Sequence, residues 1–133
     1  MSEDNVNKVR NMYAAFGKGD IPAVLGGLNP QIEWWEAENF IYAEKNPYVG
    51  PDEVLSGVFI RLGTEWEGFA VSPKALHDAG DTVVAEGYYS GTYKKTGKRV
   101  RSQFAHLFTF RDGQVVKFQQ YTDTAQFAEA VKA

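Results

Sequence analysis

Cysteine is missing from the sequence altogether, which removes disulfides, thiolate catalysis and thiolate metal sites together. Basic residues are outnumbered, 14 Lys and Arg against 17 Asp and Glu for a net charge of −3. A nucleic-acid partner, whose phosphates demand a basic face, is therefore not expected. The run Lys94, Lys95, Lys98, Arg99 and Arg101 spans a hairpin tip and reads as a solvated turn. No apolar run has the length of a membrane span, so no membrane partner is expected. The opening MSEDNVNKVRNMY is polar and acidic, without the basic start and apolar stretch of a secretory leader; the expected location is cytoplasmic. No Gly-rich phosphate loop and no Ser/His/Asp nucleophile arrangement stands out. His77, Asp78 and Asp81 lie close together, but at a turn and at a spacing that gives only a weak metal signal. Neither a metal nor a cofactor is indicated.

Aromatic side chains, by contrast, are plentiful: three Trp, seven Tyr and nine Phe in 133 residues, with a hydrophobic fraction of 44%. That length suits a single domain over residues 1–133 with a proper core. Aromatics can fill that core or line an apolar pocket with few residues. Val6, Val9, Tyr13 and Phe16 recur at helical spacing and predict a first helix, stopped by Gly17 and Gly19. Asp20 caps a short second helix with Val24, Leu25 and Leu28 inward, ended by Asn29–Pro30. Residues 31–37 read as a strand and 38–50 as a loop. Pro51 opens a third helix with the stripe Val54, Leu55, Val58, Phe59 and Leu62. From Phe69 the period changes to two, predicting an antiparallel meander of strands at about 69–77, 82–93, 98–111 and 114–122. Asp123 with Gln126 has capping-box spacing for a closing helix carrying Phe127 and Val131. Helices followed by a meander indicate an α+β domain, its helices on one face of a curved antiparallel sheet. Such a sheet forms a cone whose mouth side chains need not fill, and an apolar pocket with a few convergent polar groups is the default small-molecule site.

Within RSQFAHLFTFRDGQVVKFQQYTD, residues 101–123, Phe104, Phe108 and Phe110 alternate on one face with His106 at its centre. Two hairpin registers are open. A two-residue Asp112–Gly113 turn places Gln119 and Tyr121 on the His106 face; a type I turn with Gly113 as bulge residue places Val116, Phe118 and Gln120 there. The second joins apolar to apolar and is preferred. In the first strand Ile32, Trp34 and Glu36 alternate, which makes Glu36 an inward carboxylate beside Trp34. Among aromatics, desolvation raises the pKa of a carboxyl group and keeps a lone imidazole neutral. Glu36 and His106 thus form a candidate acid–base pair.

The whole chain resembles the nuclear-transport-factor-2-like superfamily, and within it the ketosteroid-isomerase-related and SnoaL-like polyketide cyclase proteins. The resemblance rests on MYAAFGKGD, IEWWEAENF, GPDEVLSGVFIRL, AGDTVV and FAHLFTFRDGQVVKFQQYTDTA. It implies three N-terminal helices against a cone-shaped sheet, a deep apolar pocket and a homodimer formed through the sheet. It also implies that the isomerase's general-base aspartate falls on Glu36 and its protonated carboxylic acid on His106. The isomerase's other donor, a tyrosine, falls on Met12, which cannot donate; Tyr13 points about 100° around the helix. A steroid isomerase in the strict sense is therefore not expected.

Two classes of function stay open. In one, the protein is a cofactor-independent enzyme acting on a small apolar carbonyl compound. Glu36 would abstract a proton beside the carbonyl, and His106 would hydrogen-bond the enolate oxygen or return the proton. Asp123 is a further candidate, since SnoaL-like proteins use an aspartate near the last strand, although its capping position explains it without function. Trp34, Met12, Phe59, Phe104, Phe108, Phe118 and Gln120 are the candidate substrate contacts, or simply core. In the other class the protein binds a small molecule or a partner without catalysis. His106→Phe is expected to leave the fold intact or firmer if His106 serves a ligand, and to weaken it if His106 is a hydrogen-bonded core residue.

Overall fold

The computed structural model describes residues 2–133. Helix α1 (Ser2–Gly17) lays the fully buried Val9 and the half-buried Val6, Tyr13 and Phe16 against the sheet. Gly19, at φ 76°, turns the chain into α2 (Ile21–Leu25), where Asp20 Oδ1 accepts from Ala23 N at 3.3 Å. The helix ends at Leu25, before Asn29–Pro30, so Leu28 opens strand β1 (Leu28–Trp35), earlier than the sequence predicts. Pro30, which lacks an N–H, lies where the β1–β6 register shifts between Leu28 and Glu33.

The loop after β1 contains only the two-residue strand β2 (Tyr48–Val49). A continuous helical stretch follows: α3 (Pro51–Val54), a π-helical turn (Leu55–Phe59) and α4 (Ile60–Glu65). The wider π turn brings the adjacent Val58 and Phe59 both into the interior. At Gly57 an added Cβ would lie 2.2 Å from the Tyr48 ring, so only glycine lets that ring lie flat on the helix.

Strands β3 (Trp66–Ala79), β4 (Thr82–Tyr93), β5 (Arg99–Arg111) and β6 (Gln114–Thr122) form the predicted meander. The curved, unclosed six-stranded sheet has the order β2-β1-β6-β5-β4-β3, antiparallel except for β1 beside β6. The β5–β6 hairpin corrects the expected turn while keeping the preferred pairing. Asp112 and Gly113, at φ 52° and 78°, make a two-residue left-handed turn that pairs Arg111 with Gln114 and Phe110 with Val115. Thr109 then pairs with Lys117, so Val116 is the extra residue. That bulge restores Phe118 and Gln120 to the inner face; Val115, not Val116, is the buried valine.

Helix α5 (Thr124–Ala130) plugs one end of the cone. Its Phe127 is completely buried against Phe40, Trp66 and Tyr89, at ring-centroid distances of 4.8, 5.7 and 5.8 Å. Among the described residues no helix is long and apolar enough to cross a membrane.

Candidate active site

Inside the cone, between the sheet, α1 and the π turn, lies a cavity with about 70 Å³ open to the centre of a water molecule, against the roughly 10–15 Å³ that one water needs. Its walls are mostly apolar, with Phe59, Leu62, Phe69, Val71 and Phe108 among them. Trp34 stacks on Phe118 across the β1–β6 seam at 3.7 Å between centroids and meets Phe59 edge-on at 5.5 Å. Besides Trp34, five residues bring polar groups to this lining: Tyr13, Glu36, Tyr89, and His106 with Gln120, which face each other in register.

Glu36 stands one residue past the end of β1 and is 3% exposed. Its backbone leaves the sheet because the Asn46 side chain takes over both bonds: Oδ1 accepts from Glu36 N at 2.9 Å, and Nδ2 donates to Glu36 O at 2.8 Å. The next N–H, that of Ala37, donates to Gln120 Oε1 at 3.0 Å. Burial drives the Glu36 carboxyl up to about 8, with the Trp34 indole and Arg61 acting against it and Glu44 with it. The Trp34 N–H is close enough to favour the charged form, yet it closes no hydrogen bond of ordinary geometry and stays buried without a partner. At neutral pH Glu36 is therefore mostly protonated and gains its charge in mildly alkaline solution.

His106 is held from both sides. Nδ1 meets the Tyr13 hydroxyl at 2.6 Å, Nε2 meets the Tyr89 hydroxyl, and Gln120 Nε2 donates to Tyr89 Oη at 2.9 Å. Phe104 stacks behind the ring at 4.0 Å and 16°. Desolvation lowers the imidazole pKa to about 3 and raises both phenols above their usual range. The ring is neutral, and neither of its nitrogens is left over for a ligand.

Most of the residues singled out from the sequence meet here. Glu36, His106, Trp34, Met12, Phe59, Phe108, Phe118 and Gln120 all line the cavity. Phe104 does not; it backs the histidine. Asp123 does not either: its carboxylate accepts from Ala125 N at 3.2 Å and from Gln126 Nε2 at 3.0 Å, capping α5. Tyr13, set aside on the sequence because of its angle, reaches His106, while Met12 also packs under Gly27. Both fit because α1 presents a broad arc to the cavity. Tyr89 was missed. The alternation Val83, Ala85, Gly87, Tyr89 is the signal that places it inward, and those residues are buried. Among the described residues no group of three or more His, Asp or Glu is arranged to hold a metal.

A curved sheet closed by helices over a cavity is the architecture this chain shares with nuclear-transport-factor-2-like proteins. Residues 9–118 match the SnoaL-like domain model, and the chain belongs to that family. An NTF2-like protein from Burkholderia thailandensis is 41% identical with a TM-score of 0.92, over 97% of this chain and 98% of that one. TerC, crystallised with polyporic acid, is 26% identical with a TM-score of 0.86, over 98% and 99%. A Jannaschia protein named for its likeness to SnoaL-like polyketide cyclases shares the fold, at 19% identity and a TM-score of 0.84 over 98% and 93%. No curated protein matches the chain. The SnoaL-like family suggests a small-molecule-binding function.

Proposed function

We propose that the protein is a cofactor-independent enzyme that moves a proton next to the carbonyl group of a small, largely apolar compound. The observation that carries this reading is the Glu36 carboxyl, buried at the cavity wall with its pKa pushed up to about 8, in the same chamber as the Tyr13–His106–Tyr89 chain. A base whose pKa lies near the working pH is efficient in proton transfer. A preorganised donor in a dry chamber stabilises the enolate oxygen that forms. In the forward step Glu36 takes the proton from carbon, the C–H electron pair becomes the enolate, and Glu36 or water returns the proton. Isomerisation, aldol-type cyclisation and dehydration share this step. TerC's crystallisation with polyporic acid supports a small organic ligand in this fold.

The test is deuterium incorporation. Small carbonyl compounds (cyclic enones, steroid enones, aromatic diketones) are first ranked by the thermal stabilisation they give, and the best are incubated with protein in D2O and followed by NMR. The wild type is expected to accelerate exchange at the carbon beside the carbonyl, increasingly as pH rises through about 8. Glu36→Gln is expected to lower that rate by about 10²-fold or more. Stabilisation without exchange, equal in Glu36→Gln, would replace the enzymatic reading with a binding role.

A further inference from the structure

We infer that the hydrogen-bond chain through His106 runs in one direction, and that Gln120 is the positioning residue that sets it, committing the Tyr13 hydroxyl proton to the cavity. The chain starts at a group that cannot reverse. Ala37 N–H can only donate, so the Gln120 atom 3.0 Å from it is the carbonyl oxygen. The amide is thereby fixed, and its NH2 end faces Tyr89 Oη at 2.9 Å as a donor. The Tyr89 hydroxyl has two partners, Gln120 and His106, and its oxygen accepts from the first. Its own proton therefore goes to His106 Nε2. A neutral imidazole carries one proton, so it sits on Nδ1 and is donated to Tyr13 Oη. One phenolic proton is left over, that of Tyr13.

The reverse order is poorer. If Tyr13 donated to Nδ1 and Nε2–H donated to Tyr89, the Tyr89 oxygen would accept twice and its proton would be stranded. Both phenols line the cavity, but Tyr89 is 5% exposed whereas Tyr13 is only partly buried. A buried unpaired donor is the costlier arrangement. Bonds aligned head to tail also polarise one another in the same sense, which strengthens the last donor. The chain joins both halves of the site through one side chain, because Gln120 grips the backbone next to Glu36 at one end and steers Tyr13 at the other.

The ligand chemistry follows. Tyr13 presents a donor, so the bound molecule offers an acceptor there: a carbonyl, enolate or phenolate oxygen. The direction of the chain stands by itself; its use in catalysis rests on the proton-transfer reading above. The experiment is the 15N spectrum of His106 in the unliganded protein at neutral pH. The expected spectrum shows a pyrrole-type Nδ1 and a pyridine-type Nε2. In Gln120→Met, which keeps the bulk and removes both amide contacts, both tautomers are expected. A wild-type ring protonated at Nε2 would overturn the inference, and so would an unchanged Nδ1–H form in Gln120→Met. Should that variant fail to fold, the wild-type spectrum still decides the direction. Neither result touches Glu36, whose deuterium-exchange test fails or succeeds separately.

Discussion

On the β5 side of the cavity, Tyr13, His106, Tyr89 and Gln120 are hydrogen-bonded to one another in an unbroken series. On the β1 side, the Glu36 carboxyl is pushed toward its neutral form by burial, and the Trp34 N–H beside it has no partner. Both regions are equally far from water, with His106 and Glu36 at 4% and 3% exposure. Burial alone therefore does not distinguish a structural polar group from a reactive one. The difference is whether the neighbours complete its bonds. The satisfied side gives the chamber a fixed shape and a directed donor. The unsatisfied side holds free energy that a ligand can release.

Breaking the satisfied side should have the largest effect. His106→Phe removes one partner from the buried Tyr89 phenol and one from the half-buried Tyr13 phenol, and is expected to cost about 2–5 kcal/mol in denaturant unfolding. That is the reverse of the firmer fold expected if His106 served only a ligand. A stability within about 0.5 kcal/mol of wild type would mean that the chain is not holding the fold.

The unsatisfied side should respond with the opposite sign. Glu36 has its folded pKa raised from 4.5 to about 8, so its contribution is fully present below the unfolded value and is lost as pH rises through the folded one. His106, lowered from 6.5 to about 3, loses stability as pH falls through that window. The two slopes, each about 1.4 kcal/mol per pH unit, oppose one another where they overlap and leave a plateau at about pH 4.5–6.5. Glu36→Gln should abolish the alkaline arm and be the more stable protein by about 3 kcal/mol at pH 7. Unfolding curves of both proteins from pH 4 to 9 check this. Parallel curves would mean that Glu36 titrates as an ordinary surface carboxylate.

The smallest effect should come from outside both regions. Asp123→Ala is expected to cost about 1 kcal/mol through the lost α5 cap, with no change in deuterium exchange. A large loss of exchange at preserved stability would bring Asp123 back into the chemistry.

Much of this arrangement was legible in the sequence because it depends on period. The alternation Ile32, Trp34, Glu36 and the run Phe104, His106, Phe108 each identify an inward face, and all six residues are buried. The turn at Asp112–Gly113 was not legible in the same way. Two errors of register cancel there: the tighter turn flips the strand, and the bulge at Val116 flips it back. Helical angle misled for Tyr13, because a long side chain next to a hollow is not limited to the arc that a packed core would allow. Tyr89 lay within a strand whose limits were read correctly, but its role depends on a partner two strands away, and no local pattern encodes that.

The contact between Gly57 and Tyr48 bears on how this chamber is framed. Tyr48 ties its hydroxyl to the backbone of Tyr42 and lays its ring on the bare face of the π turn. The same loop carries Phe40 into the cavity wall and Asn46 onto the Glu36 backbone. The ledger of atoms that aim the carboxylate thus includes a hydrogen where other residues carry a methyl group: the loop is keyed to its seat by a notch, and the notch is made of nothing.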